Sequence, residues 1–476
     1  MAEKSKNHGS QNFLDKTIDG YLKIWHTIRR AFEEFLTVPT IVIFCFLLLA
    51  AGSYMLDRTQ ADWIAPLRQI MRSSIFADPK ATSDLLSAIA ASLITVSSLT
   101  ITLLLLVVQQ TAASMTSQVF DQFLRSRHNQ VYFGFFIGLA LYALIVLATV
   151  AETFNPVIGA TIAFLLTVVA LFLLIILIYT TIHEMRPAII IEAIHDHIIE
   201  ARAKQLLIIN KTRRSSCFSG NTTLPVHALH HGYLTHINFD GIAKEAAHAK
   251  GGAEVILEVS IGDFVAVNDV IATVKAAMDE EAEKLCCLVQ KAIEVERQRD
   301  ISNDPGDGLE QLEMIAWTSI STAKSNPHPG LLTIRILRSL LAKLAEEKGP
   351  KQPSKYPIVY QDNFEEKLLD TLETLGVVST ESMQHQNFIE VIRTFTLLFN
   401  RMKAEQQARI EDIILRLLSA LGDLVLTKPL NKALDELTKT LLSNGRQNTA
   451  LAVKEAQQQF ALSVGKLNSR STRAGK

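Results

Sequence analysis

Apolar positions in this chain follow two different rhythms. Over the first 182 positions they merge into four uncharged runs, 38–56, 85–108, 131–150 and 157–182, each long enough to cross a hydrocarbon core of ~30 Å as a helix. Ahead of these runs, Leu14, Ile18, Tyr21, Trp25, Ile28, Phe32 and Phe35 recur at alternating spacings of four and three, which places them on one helical face. That face predicts an amphipathic helix over 1–37. It can bury the same stripe in the headgroup plane or against the chain's own soluble domain.

Past the fourth run the rhythm loosens. Helical spacing covers 183–210, with Pro187 near the start where a first turn tolerates it. Val255, Leu257 and Val259 then alternate ahead of a Gly262-Asp263 turn and a second apolar strand run, which predicts a small β-rich module with a short helix over 242–248. Helical spacing returns over 278–299, 309–321 and 331–347, and "KGPKQPSKYP" is a loop by its Pro, Gly and Lys content. Two or three further amphipathic helices are expected over 363–442. The fold expected is an α-helical membrane protein, with four transmembrane helices followed by a cytoplasmic α+β region that holds the β-rich module and a helical C-terminal part. Its divisions fall at 1–37, 38–182, 183–276, 277–450 and a basic, partly disordered tail over 451–476.

Charge sets the expected orientation. Lys4, Lys6, Lys16, Lys23, Arg29 and Arg30 precede the first run, Arg125 and Arg127 lie between the second and third, and Arg186, Arg202 and Lys204 follow the fourth. On the other side Arg58, Arg68, Arg72 and Lys80 are offset by Asp57, Asp62, Asp78 and Asp84, and the last loop carries Glu152 and no base. Cytoplasmic loops hold the excess of Lys and Arg, so both termini are expected in the cytoplasm. Cys45 lies inside a run, and Cys217, Cys286 and Cys287 match neither a disulfide framework nor a metal knuckle. Free thiols in a reducing compartment follow. A net charge of −1 argues against nucleic acid as a partner.

Candidate chemistry is sparse. Ser87, Ala91, Thr95, Ser98 and Thr102 form one stripe on the second run. Small and hydroxylated residues on one face let helices approach closely, and the same side chains can line a pathway in an oligomer. No Asp, Glu, Lys, Arg or His lies inside any run, which weighs toward packing because such groups usually mark ion and proton routes. His227, His230, His231, His236 and His248 invite a metal, yet no helix or CxxC scaffold supports one. Glu254, Glu258 and Asp263 make no acid/base pair, and Cys286 and Cys287 have no partner histidine at a recognisable spacing. "GGAEV" enters a strand and lacks the Gly-Lys-Ser/Thr of a phosphate loop. No catalytic residue, cofactor or metal is expected.

The most specific stretch is "SNDPGDGLEQLEMIAWTSISTAKSNPHPG", residues 302–330. Together with "SMTSQVFDQFLRSRHNQVYFGFFIGLALYAL", "HGYLTHINFDGIAKEA" and "IGDFVAVNDVIATV", it resembles the bacterial predicted membrane protein family known as domain of unknown function 2254. Arg299, Asp304, Gly308, Leu312, Ile315, Ala316, Ser321 and Pro327 stand where that family usually has an Arg, an Asp-containing turn, a Gly and a Ser-Pro-x-x-Asn-Asp-Pro loop. The chain departs from the pattern at 115–118, Met-Thr-Ser-Gln in place of Ser-Pro-Arg, and at 325–327, Ser-Asn-Pro in place of Asn-Asp-Pro. The resemblance implies an integral membrane protein of uncharacterised activity with no catalytic residues to transfer.

From the residues themselves, Asp304-Pro305-Gly306 and Asn326-Pro327 are turn signals bracketing a helix. The sharper alternative has Arg299, Asp304 and Ser321 converging on an ion, a small ligand or a neighbouring subunit. Three function classes stand. The first is a non-enzymatic homo-oligomer in the lipid bilayer with a channel or transport role through the second run and a cytoplasmic regulatory domain. The second is a membrane-anchored scaffold or sensor for a cytoplasmic partner. The third is a metal-dependent enzyme.

Overall fold

Each uncharged run becomes a helix in the computed structural model, which describes residues 36–59, 78–114, 127–218, 222–297, 299, 303–321, 326–347, 354, 356–421 and 426–463. The helices are α1 (Thr37–Thr59), α2 (Pro79–Ser114), α3 (Arg127–Thr149) and α4 (Val157–Glu184), and all four are long and apolar enough to cross a membrane. The amphipathic stripe from Leu14 to Phe35 lies outside the described residues. The chain divides into two compact units at Arg186 and Pro187.

In the first unit α3 packs against the other three helices. Its sequence shows why α1 comes so close. A Cβ on Gly134 would fall 2.8 Å from Pro39 Cα, and one on Gly138 would fall 2.5 Å from Phe46 Cδ2. Two glycines four apart flatten one face of a helix and admit a neighbour's backbone. Phe46 fills the space with edge contacts to Phe135 and Tyr142. The Tyr142 hydroxyl donates to Gly159 O at 3.1 Å and also contacts Ser53 Oγ at 3.2 Å.

The second unit opens with α5 (Pro187–Ile209). Strands β1 (Thr222–His227), β2 (Gly232–Ile237), β3 (Ala253–Leu257), β4 (Phe264–Val265) and β5 (Val270–Ala276), with helices α6 (Phe239–His248) and α7 (Asp279–Ala292), form the β module. The helical spacing read over 278–299 ends early, because α7 stops at Ala292 and Ile293–Glu296 becomes β6. Ile293, Glu294, Val295 and Glu296 alternate for only four residues, and pairing with β2, which is distant in sequence, overrides the local signal. The helices α8 (Pro305–Ser321) and α9 (His328–Glu346) follow, then β7 (Ile358–Val359).

The strands build two small sheets, one ordered β1-β5-β3-β7 and the other β4-β2-β6. β7 joins β3 in parallel while the other pairs are antiparallel. The module therefore draws β6 and β7 from beyond 183–276. Its core is mainly aliphatic, built on Leu234, Ile242, Val255, Val274 and Val289, with Phe239 and Tyr360 among them.

Four helices, where two or three were expected, fill the next stretch: α10 (Phe364–Glu381), α11 (His385–Leu398), α12 (Ala404–Ala420) and α13 (Lys428–Ser443). The extra breaks are short turns at Met383, which adopts a left-handed φ of 55°, and at the single-turn 3-10 helix Phe399–Arg401. Helix α14 (Gln447–Ser463) carries 451–463, with Val453 fully buried. The segment from 464 onward lies outside the described residues.

Candidate functional site

The stripe on the second span is not packed into the bundle. Leu86, Ile89, Ala90 and Leu93 are buried on one face of α2, whereas Ser87, Ala91, Thr95, Ser98 and Thr102 are all exposed. Hydrophobic side chains fill the gap against α3 better than hydroxyls do, so the apolar face takes the intrachain contact. The Thr95 hydroxyl donates to Ala91 O at 2.8 Å and the Thr102 hydroxyl to Ser98 O at 2.9 Å. This back-bonding satisfies the hydroxyl hydrogens without a partner. Ser98 and Thr102 also edge an open, mostly apolar groove of about 380 Å³ between α2 and α3.

The polar motif in the second unit assembles in part. Asp304 precedes α8, and its Oδ1 accepts from Gly306 N at 2.8 Å, the N-cap geometry that an Asp-Pro-Gly start favours. Arg299 Nε lies 3.1 Å from Asp304 Oδ2 and its Nη1 4.0 Å from Asp307 Oδ1, and it also pairs with Glu310. The Arg299–Asp304 approach is poorly aligned for a hydrogen bond, so its attraction is ionic. The guanidinium sits over the Tyr233 ring, 5.5 Å from its centroid. Asp304 and Asp307 are each only 2% exposed. Burial pushes both carboxyls above the usual range, and the nearby Arg299 only partly offsets it.

The β module closes over this cluster. Gly262 takes φ +92°, and a Cβ there would lie 2.0 Å from Asp304 Oδ2, so a glycine is needed for both conformation and space. The neighbouring Asp263 pairs with Lys367 at 2.9 Å. Ser321 is not part of the cluster. It is exposed at the far end of the 17-residue α8, about 25 Å along the axis at 1.5 Å per residue. At that end Ser319 organises the second turn, donating to Asn326 O at 2.5 Å and accepting from Gly330 N at 3.1 Å. The Asn326-Pro327 signal is thus a turn held by Ser319. Arg299 and Asp304 meet, and Ser321 stands apart.

Three polar centres escaped the sequence. Asp57, at the end of α1, accepts from Ile158 N at 3.0 Å and Gly159 N at 2.9 Å, capping the first turn of α4 from a different helix. Arg202 uses all five guanidinium hydrogens. Nε and Nη2 reach Glu347 at 3.1 and 2.8 Å, Nη1 and Nη2 reach Asp362 at 2.7 Å each, and Nη1 reaches Gln205 at 2.8 Å. Burial opposes the Arg202 charge, but hydrogen bonds to Asp362 and Glu347 hold its pKa well above the ordinary arginine value. Glu254, fully buried on β3, accepts from Arg213 Nη1 at 2.8 Å, Ser216 Oγ at 2.5 Å and Cys217 N at 3.2 Å. Burial raises the Glu254 pKa, but these donors outweigh it and leave the carboxyl below its usual range. Each centre joins residues far apart in sequence, so no spacing rule could have flagged it.

The histidines stay dispersed. His227 Nδ1 contacts Asn268 O and His248 Nδ1 contacts Lys244 O. Among the described residues no group of three or more His, Cys, Asp or Glu side chains is placed to hold a metal ion.

No curated protein and no solved structure matches the chain. A family model described as "Predicted membrane protein (DUF2254)" matches residues 33–370, a span that includes all four apolar helices, the β module and the Arg299 cluster. The chain belongs to this family of predicted membrane proteins, domain of unknown function 2254.

Proposed function

We propose that the chain works as a non-enzymatic homo-oligomer of the bacterial inner membrane, with both termini and the second unit in the cytoplasm and with α2 supplying the contact between copies. One observation carries this reading: the small and hydroxylated stripe Ser87, Ala91, Thr95, Ser98 and Thr102 is exposed while a separate face of α2 packs within the chain. A face of small residues, with the Thr95 and Thr102 hydroxyls already satisfied, permits close helix contact. Symmetric repetition around an axis would set several such faces together. Permeation along that axis is the further step, and the second unit is then its regulatory domain.

Disulfide crosslinking in native membranes tests the contact. With Cys45, Cys217, Cys286 and Cys287 all replaced by Ser, Ser98→Cys should give covalent dimers, and Phe172→Cys on the exposed face of α4 should not. Equal yields from both sites would remove the basis for the proposal. Impermeant labelling of a cysteine introduced near Arg470 reports the orientation, and labelling from outside would reverse it. Current through the purified protein in planar bilayers tests permeation.

A second reading, a scaffold or sensor, has its own support. Met314 and Trp317 are 51% and 46% exposed on α8 and share a stripe with Glu310 and Ser321, the spacing with which a helix presents anchors to a partner. Trp317→Ala should abolish copurification of a cytoplasmic partner if this reading holds.

A further inference from the structure

The Arg299 cluster holds more buried negative charge than its single guanidinium can balance. Asp304 and Asp307 are almost wholly buried, the more exposed Glu310 competes for the same arginine, and Arg299 is itself only 15% exposed. The groups facing the two buried carboxyls come from four directions: Arg299 from the connector before α8, Glu310 from α8 itself, Asp263 and its partner Lys367 from the β module and α10, and His197 from α5. Lys367 pairs with Asp263 at 2.9 Å and from there offsets the burial of Asp304 only in part. A carboxylate removed from water without full compensation favours its neutral form.

The same place is a mechanical joint. Asp304 Oδ2 lies against the backbone of Gly262 with no room for a Cβ. The Gly262 turn is tied into the three-stranded sheet by Gly262 N donating to Leu234 O at 2.8 Å. The first turn of α8 is therefore docked on the β module through a buried carboxyl.

We propose that this joint between the Gly262 turn and the start of α8 is a proton-sensitive coupling, which tightens when Asp304 or Asp307 takes up a proton and loosens when both are ionised. The sign follows from linkage. Carboxyls raised above their exposed value bind more protons in the closed joint than in the open one, so closure gains as pH falls toward the exposed value and is lost as pH rises through the closed-state value. Each unit of pKa difference corresponds to about a tenfold change in the closed-to-open ratio. His197 opposes this uptake at Asp307 when charged, which makes it the rival sensor. The coupling lies wholly within the second unit and holds whether or not the chain forms oligomers.

Hydrogen–deuterium exchange of the full-length protein in detergent tests it, with rates corrected for intrinsic pH dependence, over peptides covering 260–266 and 305–312 between pH 4.5 and 8. Protection in both peptides should rise together as pH falls, by about tenfold per unit of pKa displacement. Asp307→Asn should give high protection already at pH 8 with little further change. His197→Asn should keep the rise in protection with acid and begin it at no lower pH than wild type, because the charge opposing uptake at Asp307 is gone. A wild-type profile that is flat, or in which protection falls with acid, overturns the proposal, and this arm needs no variant to fold. So does Asp307→Asn with an unchanged profile, or His197→Asn with the response abolished.

Discussion

Replacing Arg202 by Met should unfold the second unit at a markedly lower temperature. The guanidinium is 7% exposed and is held by Glu347 and Asp362, themselves 26% and 22% exposed, with the Phe364 ring 4.9 Å away. Methionine keeps the packing but leaves two partly buried carboxylates facing each other without their cation. Breaking a buried pair from one side costs about 3–5 kcal/mol, and partial exposure of the carboxylates favours the lower end. At roughly 2–4 °C per kcal/mol for a domain of this size, the midpoint should fall by about 6 °C or more. Arg202→Lys should recover little of this, since an ammonium cannot engage two carboxylates bidentately. Thermal unfolding of the detergent-solubilised full chain, followed by circular dichroism, gives the number. If the Met variant melted within about 1 °C of wild type, Arg202 would not be joining α5 to the segments carrying Glu347 and Asp362, and the argument would fail.

Three further outcomes are expected. Gly138→Ala places a Cβ into the Phe46 ring and should cost about 1–3 kcal/mol by overpacking, seen as a lower midpoint in detergent, whereas Gly52→Ala, which meets nothing within 4 Å, should be nearly silent. Asp57→Ala strips two backbone donors of α4 of their acceptor and should destabilise the first unit by about 1–3 kcal/mol, read as faster proteolysis in the 150–156 loop. Glu254 has a depressed pKa, so its contribution is full above the ordinary carboxyl value and is lost as pH falls through the lower folded value; Glu254→Gln should flatten the acid limb of the stability profile, and an unchanged limb would count against the Arg213–Ser216 cage.

The four apolar helices were legible because hydrocarbon tolerates only long uncharged runs, a constraint each segment meets on its own. The turn before α8 was legible for a similar reason: Asp304-Pro305 carries its own capping chemistry. The sequence likewise contains the stripe on α2, but not its direction. Whether Ser98 or Leu93 faces α3 depends on what α3 offers, and Leu93 is the one that is buried. Ser321 lies in the same stretch of sequence as Arg299, and a rigid helix carries it to the opposite end. Asp57 meets Gly159 across 102 positions, and Arg202 meets Glu347 across 145 and Asp362 across 160. Local propensity and hydrophobic period are properties of neighbours along the chain. Close glycine contacts, shared arginines and a strand such as β6 are decided by neighbours in space, and only the tertiary structure brings those together.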